Sequence, residues 1–359
     1  MLKLDNLSKT YRVGTFGGKE LHAVSNVSFE VKSGEVVALI GESGSGKSTI
    51  GKMILRLTSK SSGAISFNGV DISTFKGSAL KEYYRQVQGV FQDPFSTYNP
   101  VFKADRVFGV IKEEFFPEVK GPEWNKKVNR SLEAVGLNPE HVLNKFPHQL
   151  SGGQLQRLLI ARALLLDIKF LVADELISML DASTRIDVLN LLADLKARGL
   201  SILFITHDLS LAHYISEKAV ILYRGCVAEM GATEKIFESP QHPYTKMLMA
   251  SVPRLDKKWE QNVAKPKAKR SVVAVEQRRI SLAWEEGEAE LKAKLLERAS
   301  GCVYYERCPI ADKGCTRNRP TLVEAERDHF VACFRYMEDE PVFVSPTRTL
   351  VDEPNRVSG

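Results

Sequence analysis

A glycine-rich stretch near the N-terminus has the residue types and spacing that bind phosphate. Residues 41–48 read GESGSGKS, which fits the pattern G-x-x-x-x-G-K-[ST]. The stretch follows EVVALI (35–40), an apolar run typical of a buried parallel strand, and precedes the helix-like IGKMILRL. Glycines allow backbone N–H groups to surround a phosphate, and a helix N-terminus favours the same anion. An ordinary glycine-rich turn would not need a buried strand before it and a helix after it.

The sequence therefore predicts a nucleoside triphosphate site. In such a site Lys47 reaches the β- and γ-phosphates and Ser48 ligates Mg²⁺. The predicted binding residues are Gly41, Glu42, Ser43, Gly44, Ser45, Gly46, Lys47, Ser48 and Thr49.

Hydrolysis needs further polar groups, and four occur in order after this loop. Asp174 and Glu175 follow the apolar run FLVA (170–173), where Asp174 could hold the Mg²⁺ shell and Glu175 could polarise an attacking water. His207 follows SILFIT and could contact the γ-phosphate, and Gln92, in VFQDP, could touch both Mg²⁺ and water. Each residue alone has an ordinary structural explanation. Their joint order behind one phosphate loop predicts an NTPase in which Lys47, Gln92, Glu175 and His207 are catalytic.

A second helix N-terminus carries phosphate-binding residues. LSGGQ (150–154) opens an amphipathic helix, and Ser151 is a natural N-cap. The Ser151 hydroxyl and the Gly152 and Gly153 amides would form another anion cradle. Capping alone would explain Ser151 but neither the two glycines nor Gln154. Since one γ-phosphate does not need two cradles from one chain, we expect this one to serve the nucleotide of another chain.

The elements that must position these groups alternate between strands and helices. The first seventy residues contain alternating segments such as LKLDNL and VSFEV, separated by glycine-containing turns. Residues from about 93 to 167 are mostly helical in pattern, and buried strands flank a helical stretch at 182–199. We therefore expect an α/β P-loop NTPase fold with an N-terminal antiparallel β subdomain and a helical subdomain.

Together these motifs closely resemble those of ATP-binding cassette (ABC) ATPases over residues 1 to about 250. GESGSGKS matches Walker A, VFQDP the Q-loop, LSGGQ the signature, LVADE Walker B, SMLD the D-loop with Asp181, and THD the H-loop. The resemblance implies that two ATPase chains close head to tail, with each ATP between one P-loop and the opposite LSGGQ. It also implies that Tyr11 stacks on adenine.

Four segments resemble the oligopeptide/dipeptide/nickel branch of ABC importers: GESGSGKST, FQDPFSTYNP, SPQHPYTKMLMASVP and the cysteine-rich tail. The Ser48-Thr49 pair and the following GKMILRL resemble the second ATPase of such systems more than the first. The resemblance implies a different ATPase as partner, two membrane-spanning permeases, an extracytoplasmic binding protein, and a place on the cytoplasmic face of the membrane. Within QHPYT, His242 is interpreted as structural. The chain departs from the branch at Leu176-Ile177, where Pro-Thr is usual, and at Tyr305-Glu306, where His-Pro is usual.

Four of the five cysteines lie close together near the C-terminus. They are Cys302, Cys308, Cys315 and Cys333. Structural zinc sites usually have C-x2–4-C pairs, and this spacing has none. Four thiolates on loosely spaced loops suit an iron–sulfur cube, while zinc and plain buried thiols stay possible. The branch resemblance implies a 4Fe–4S cluster. Cys226 is predicted to be a small buried hydrophobe.

Composition and charge indicate which classes of protein this chain can belong to. With 43% hydrophobic and 26% charged residues, no signal peptide pattern and no apolar span, we expect a globular cytosolic protein. The net charge of +6 lies mainly in residues 256–279, which carry eight basic and three acidic residues, so we expect no nucleic-acid binding. The predicted segments are the ATPase domain (1–250), a basic linker and helix (251–300), a cysteine-rich module (301–340) and a tail (341–359).

The cargo stays open, since relatives of the branch carry peptides, nickel complexes or oligosaccharides. A soluble ABC ATPase acting on DNA or ribosomes is the alternative class. Such proteins typically have a long coiled coil or two cassettes, and this sequence has neither.

Overall fold

Two β-sheets organise the protein, one of four strands and one of eight. The computed structural model describes residues 1–13, 19–178, 180, 182–251 and 301–337. Its strands are β1 (Leu2–Val13), β2 (Lys19–Val31), β3 (Val36–Ile40), β4 (Ser62–Phe67), β5 (Val70–Asp71), β6 (Val87–Val90), β7 (Phe170–Asp174), β8 (Ser201–Thr206), β9 (Lys218–Tyr223), β10 (Cys226–Ala232), β11 (Val323–Glu326) and β12 (His329–Val331). Its helices are α1 (Lys47–Ile54), α2 (Gly77–Gln86), α3 (Pro94–Thr97), α4 (Arg106–Phe115), α5 (Gly121–Ala134), α6 (Pro139–Val142), α7 (Gly152–Leu164), α8 (Ala182–Ala197), α9 (Leu209–Ile215), α10 (Thr233–Glu238) and α11 (Pro243–Ala250).

The eight-stranded sheet has a parallel centre. Its order is β11-β12-β10-β9-β3-β8-β7-β6, and the strands from β9 through β6 run parallel. Every residue of β3, β7 and β8 is buried, which confirms the interpretation of their apolar runs as central strands. Since parallel strands end on the same side of a sheet, the segments after β3, β6, β7 and β8 meet at one edge.

The four-stranded sheet is antiparallel and comes from the N-terminal part of the chain. Its order is β2-β1-β4-β5, with Leu2 opposite both Val31 and Phe67. Alternate residues of β1, including Leu2 and Leu4, are fully buried. They share a hydrophobic core with Ile50 of α1 and with one face of the larger sheet. The packing thereby fixes α1, and the loop before it, against both sheets.

The helices α3 to α7 lie between β6 and β7 in the chain. Leu155, Leu158 and Leu159 of α7 are buried in the same core as Trp124 and Val128 of α5. This core continues onto the second face of the eight-stranded sheet. The predicted fold class is confirmed in its α/β core, its antiparallel β subdomain and its helical subdomain.

The segment 301–337 adds a hairpin to the large sheet. Strand β12 pairs with both β10 and β11, so β10 is covered along its outer edge. In this contact His329 Nε2 lies 2.7 Å from Glu229 Oε1, and both side chains are fully buried. The boundary of a separate cysteine-rich module stays a prediction.

Several sequence predictions lie outside the described residues. They concern the basic linker and helix after Ser251, the tail at 341–359 and Asp181. Within the parts of the chain that the structure describes, no helix combines the length and apolar character needed to cross a bilayer.

Candidate functional site

The predicted phosphate loop joins β3 to α1, and its close contacts demand glycine. Gly46 has φ +100°, and a Cβ placed there would lie 2.4 Å from the carbonyl oxygen of Ala23. A Cβ at Gly41 would lie 2.2 Å from the carbonyl oxygen of Leu222. Both neighbours are backbone atoms of the surrounding sheets, so a side chain would displace the loop. The loop thus presents its backbone at the N-terminus of α1, as the motif predicts.

Lys47 is held within this loop. Its side chain is buried, and Nζ donates to the carbonyl oxygens of Gly41 at 2.7 Å and Glu42 at 2.9 Å. Burial lowers the pKa of Lys47, while the nearby carboxylates of Glu175 and Asp174 oppose that change. An ammonium held among anionic groups at the loop is suited to bind the β- and γ-phosphates.

Ser48 and Asp174 meet across the sheet. The Ser48 hydroxyl, in the first turn of α1, donates to Asp174 Oδ1 at the end of β7 over 3.1 Å. Burial raises the pKa of Asp174, and the bond from Ser48 acts against that rise. A hydroxyl and a carboxylate side by side are hard oxygen ligands of the kind that Mg²⁺ prefers. The two residues therefore fit the predicted metal site.

Glu175 and His207 form a second pair at the same edge. His207 Nδ1 lies 3.3 Å from Glu175 Oε1. Glu175 has φ +47°, a left-handed conformation uncommon for a side-chain-bearing residue, and its N–H donates to Ile205 O of β8 at 2.9 Å. The backbone is thus turned at the strand end, where it places the carboxylate beside the imidazole. Strain of this kind is typical of functional positions.

The two residues that replace the usual Pro-Thr of the branch are hydrophobic and buried. Leu176 and Ile177 have exposed fractions of 1% and 2% and join the core shared with the helical subdomain. Directly after them, the Ser178 hydroxyl donates to the Glu175 carbonyl oxygen at 2.9 Å. Core packing and this turn hold the segment after Glu175 in place.

Gln92 and Tyr11 lie at the margins of the site. Gln92 is exposed between β6 and α3, on the edge where β7 also ends, and it takes no part in the hydrogen bonds described above. Tyr11 is half-buried on β1, with Lys9 Nζ 4.8 Å from its ring centroid. Their roles toward Mg²⁺ and adenine stay predictions.

The LSGGQ segment has more internal structure than its sequence reveals. The Ser151 hydroxyl accepts from the Gln154 N–H at 3.2 Å, and Gln154 Oε1 accepts from the Ser151 N–H at 2.9 Å. This reciprocal pair is a capping box for α7, so capping does account for Gln154, contrary to the sequence argument. A Cβ at Gly153 would lie 2.9 Å from the methyl group of Thr184. Gly152 and Gly153 still leave backbone N–H groups open to an anion at this terminus.

The four clustered cysteines line one pocket. Tyr304 and His242 also line it. Burial raises the pKa of Cys302, and the other three thiols raise it further, since they are close enough to repel its thiolate. Among the described residues, however, no three His, Cys, Asp or Glu side chains are grouped tightly enough for a single metal ion. The 4Fe–4S cluster that the branch resemblance implies at these cysteines therefore stays a prediction.

His242 and Cys226 occupy the structural places expected of them. His242 is buried and caps α11, where its Nδ1 accepts from the Tyr244 N–H at 3.0 Å. Cys226 is buried on β10 and receives a bond from Arg319 Nη1 at 3.4 Å.

Sequence reasoning missed two residues that contact the phosphate loop. Tyr244 OH accepts from the Glu42 N–H at 3.0 Å, and Arg307 Nη1 lies 2.9 Å from Glu42 Oε2. Tyr244 belongs to QHPYT, and Arg307 directly precedes Cys308. Spacing in the sequence carries no signal for a contact between segments so far apart along the chain.

Comparisons with known proteins agree with this geometry. Residues 24–178 match the ABC transporter family, and residues 228–315 match the C-terminal region of oligopeptide/dipeptide transporters. A putative peptide import ATP-binding protein of Brucella ovis is 38% identical over 93% of this chain and 98% of its own length. The oligopeptide transport ATP-binding protein AppF of Bacillus subtilis is 38% identical over 94% of this chain and 97% of its own length.

Solved structures show the same fold. A dimeric ATP-binding cassette in a post-hydrolysis state, bound to ADP and Pi, is 30% identical with a TM-score of 0.59, covering 65% of this chain and 99% of that one. The structure of cbiO1 from Clostridium perfringens, part of the ABC transporter complex cbiONQ, is 26% identical with a TM-score of 0.56, covering 66% of this chain and 90% of that one. On the site geometry and these matches together, the chain belongs to the ABC transporter ATPases, in the branch with an oligopeptide/dipeptide transporter C-terminal region.

Proposed function

We propose that this chain is the ATP-hydrolysing subunit of an ABC importer that takes up oligopeptides or dipeptides. Two side-chain pairs at one edge of the sheet, beside the buried Lys47, are the main support for ATP hydrolysis. Ser48 lies 3.1 Å from Asp174, and Glu175 lies 3.3 Å from His207. Import of peptides is supported by the names of relatives that match along nearly their whole length.

Each side chain has a defined role in this proposal. Lys47 binds the β- and γ-phosphates, and Ser48, Asp174 and Gln92 hold Mg²⁺. Glu175 orients and polarises the attacking water, and His207 contacts the γ-phosphate. The transition state is stabilised mainly by positioned charge and backbone dipoles rather than by covalent chemistry.

A partner chain completes the ATP site in this proposal. Residues Ser151 to Gln154 face the ATP of a second, related ATPase, Asp181 lies in the D-loop between them, and Tyr11 stacks on adenine. The dimeric state of the solved cassette supports the pairing. Two permeases and a solute-binding protein complete the importer, with this chain on the cytoplasmic face.

Peptides are the favoured cargo. The relatives described above are named for peptide transport, which favours peptides over oligosaccharides. A role on DNA or ribosomes is disfavoured by the transporter C-terminal region at residues 228–315. Uptake of a labelled tripeptide by cells with and without this gene would test the cargo.

We also assign a 4Fe–4S cluster to Cys302, Cys308, Cys315 and Cys333, on the basis of their shared pocket. Iron, sulfide and zinc analysis of protein purified without oxygen tests it, together with an absorption spectrum. About four irons and matching sulfide per chain are expected. One tightly bound zinc, or no metal, would overturn the assignment and leave the ATPase intact.

The ATPase role is tested by Glu175→Gln. The variant should bind ATP at least as tightly as the wild type, because the amide keeps the size of the side chain and the hydrogen bonds of Lys47 within the loop. Its turnover in the assembled transporter should fall by about 10²- to 10⁴-fold, the usual contribution of general acid–base catalysis. Glu82→Gln, at an exposed position of α2, is the matched control and should hydrolyse ATP normally. Unchanged turnover in Glu175→Gln would remove Glu175 from the mechanism.

A further inference from the structure

An ion pair links the cysteine-bearing segment to the phosphate loop. Arg307 Nη1 lies 3.0 Å from Glu42 Oε1 and 2.9 Å from Glu42 Oε2. Glu42 is the second residue of the phosphate loop, and Arg307 is the residue before Cys308. The two lie 265 positions apart in the sequence. The fold therefore brings a C-terminal cation onto the loop proposed to hold ATP.

The same loop residue is held at its backbone from the same side. Tyr244 OH accepts from the Glu42 N–H at 3.0 Å, and the Tyr244 ring is fully buried. The Tyr244 ring centroid lies 4.6 Å from that of Tyr223 and 5.4 Å from that of Tyr304. Tyr304 lines the cysteine pocket. Glu42 is thus held at its carboxylate by Arg307 and at its backbone N–H by Tyr244, and the Tyr244 ring packs against Tyr304 of the cysteine-bearing segment.

The charge of Glu42 matters to an anion in the loop. The Glu42 carboxylate is one of the nearby charges that act on the pKa of Lys47, so it lies within electrostatic reach of the phosphate-binding ammonium. A bare carboxylate there would repel a triphosphate. The hydrogen bond to Glu42 raises the pKa of Arg307 above its usual value, so Arg307 stays charged and neutralises that carboxylate.

Stability alone gives a weak reason for this pair. The Arg307 and Glu42 side chains have exposed fractions of 44% and 41%. Ion pairs this open to solvent contribute little to folding. An effect of Arg307 should therefore appear in nucleotide affinity rather than in the unfolding transition.

We propose that Arg307 is a positioning residue for ATP. It neutralises and fixes Glu42, so that the cysteine-bearing segment sets the affinity of the phosphate loop. The inference rests on the proposed ATPase function and adds that ATP affinity depends on Arg307, a residue outside the cassette motifs.

The test is a double-mutant cycle on the full chain, with Kd for ATP and ADP measured by titration with fluorescent analogues. Arg307→Gln should weaken ATP binding by about three- to tenfold, because a carboxylate is left facing the phosphates. ADP should weaken less, since it carries less charge. In a Glu42→Gln background the same arginine change should shift Kd by less than about twofold. Arg307→Lys should restore part of the affinity.

Glu306→Gln is the matched control. Glu306 is the neighbour of Arg307, and its Oε2 lies 3.7 Å from Arg224 Nη1, so its variant should bind ATP normally. In the assembled transporter Arg307→Gln should raise KM for ATP and leave kcat nearly unchanged.

Two results would overturn the inference. One is unchanged ATP affinity in Arg307→Gln. The other is an equal loss in the wild-type and Glu42→Gln backgrounds, which would mean that Arg307 acts independently of Glu42. If the wild-type chain itself fails to bind ATP, the proposed function fails first, and the two failures are thereby distinguished.

Discussion

Replacing Glu229 by glutamine should destabilise the protein strongly, because this carboxylate has no access to water. Its Oε1 accepts from the Gln241 N–H at 2.7 Å and lies 2.7 Å from His329 Nε2, while Oε2 accepts from the His242 N–H at 2.8 Å. A glutamine has only one oxygen, so its NH₂ group must face one of the two backbone donors. A buried donor then loses its acceptor.

The cost follows from these contacts. An orphaned buried N–H costs about 1–3 kcal/mol, and loss of the charge weakens the bond with His329 as well. We therefore expect Glu229→Gln to lower the free energy of unfolding by about 2–4 kcal/mol. Urea unfolding followed by circular dichroism at pH 7.5 measures the change. The control is Glu324→Gln in the same hairpin, where an exposed carboxylate accepts from the Asp328 N–H at 2.8 Å.

The control should cost under about 1 kcal/mol, since water can replace the carboxylate oxygen. If Glu229→Gln costs no more than Glu324→Gln, the carboxylate does not anchor the hairpin and the QHPYT segment as described.

Two further predictions concern the phosphate loop and the buried histidine. Gly46→Ala should lower ATP affinity by about tenfold or more, because its Cβ would meet a backbone oxygen at 2.4 Å. The control is Gly34→Ala, which has a similar positive φ but no atom within 4 Å of its Cβ, and it should bind ATP normally. Equal losses of ATP affinity in the two variants would refute the steric argument. Burial lowers the pKa of His242 to about 4, below its unfolded value of about 6.5. The unfolded state therefore binds the proton first, and stability present above pH 6.5 should fall by roughly 3 kcal/mol as pH drops toward 4. His242→Asn keeps a side chain that can cap α11 but cannot titrate in this range, so its free energy of unfolding should lack the pH-dependent loss. If the difference in unfolding free energy between the wild type and His242→Asn stays constant across pH 4–6.5, the lowered pKa of His242 is contradicted.

Local features of the sequence were sufficient to predict the centre of the site. The runs before Gly41, Asp174 and His207 are apolar on both faces, so they had to be central parallel strands, and such strands end at a common edge. The proximity of Ser48 to Asp174 follows from that topology. The strands were predictable because each apolar run is continuous in the chain, whereas the roles of Ser48, Asp174 and His207 stay predictions.

Contacts between distant segments escaped prediction. Arg307 and Glu42 are half-exposed polar residues with no periodicity to relate them. Strands β11 and β12 span only four and three residues, too few for an alternating pattern to be recognised. Gln154 was misjudged for another reason, since a capping box and an anion cradle use the same residue types.

The hairpin over β10 has a consequence for biosynthesis. The cassette motifs and α11 are complete by residue 250, but the strand that covers β10 appears only at residues 329–331. At elongation rates of about 5–20 residues per second, the 80 or so residues between α11 and β12 take about 4–16 s to translate. During that interval the nascent chain carries an open sheet edge, whose unpaired N–H and C=O groups can pair with other strands. Chaperone binding at this stage, or early contact with the proposed partner ATPase, would shield an edge that the chain itself closes only when residues 329–331 are made.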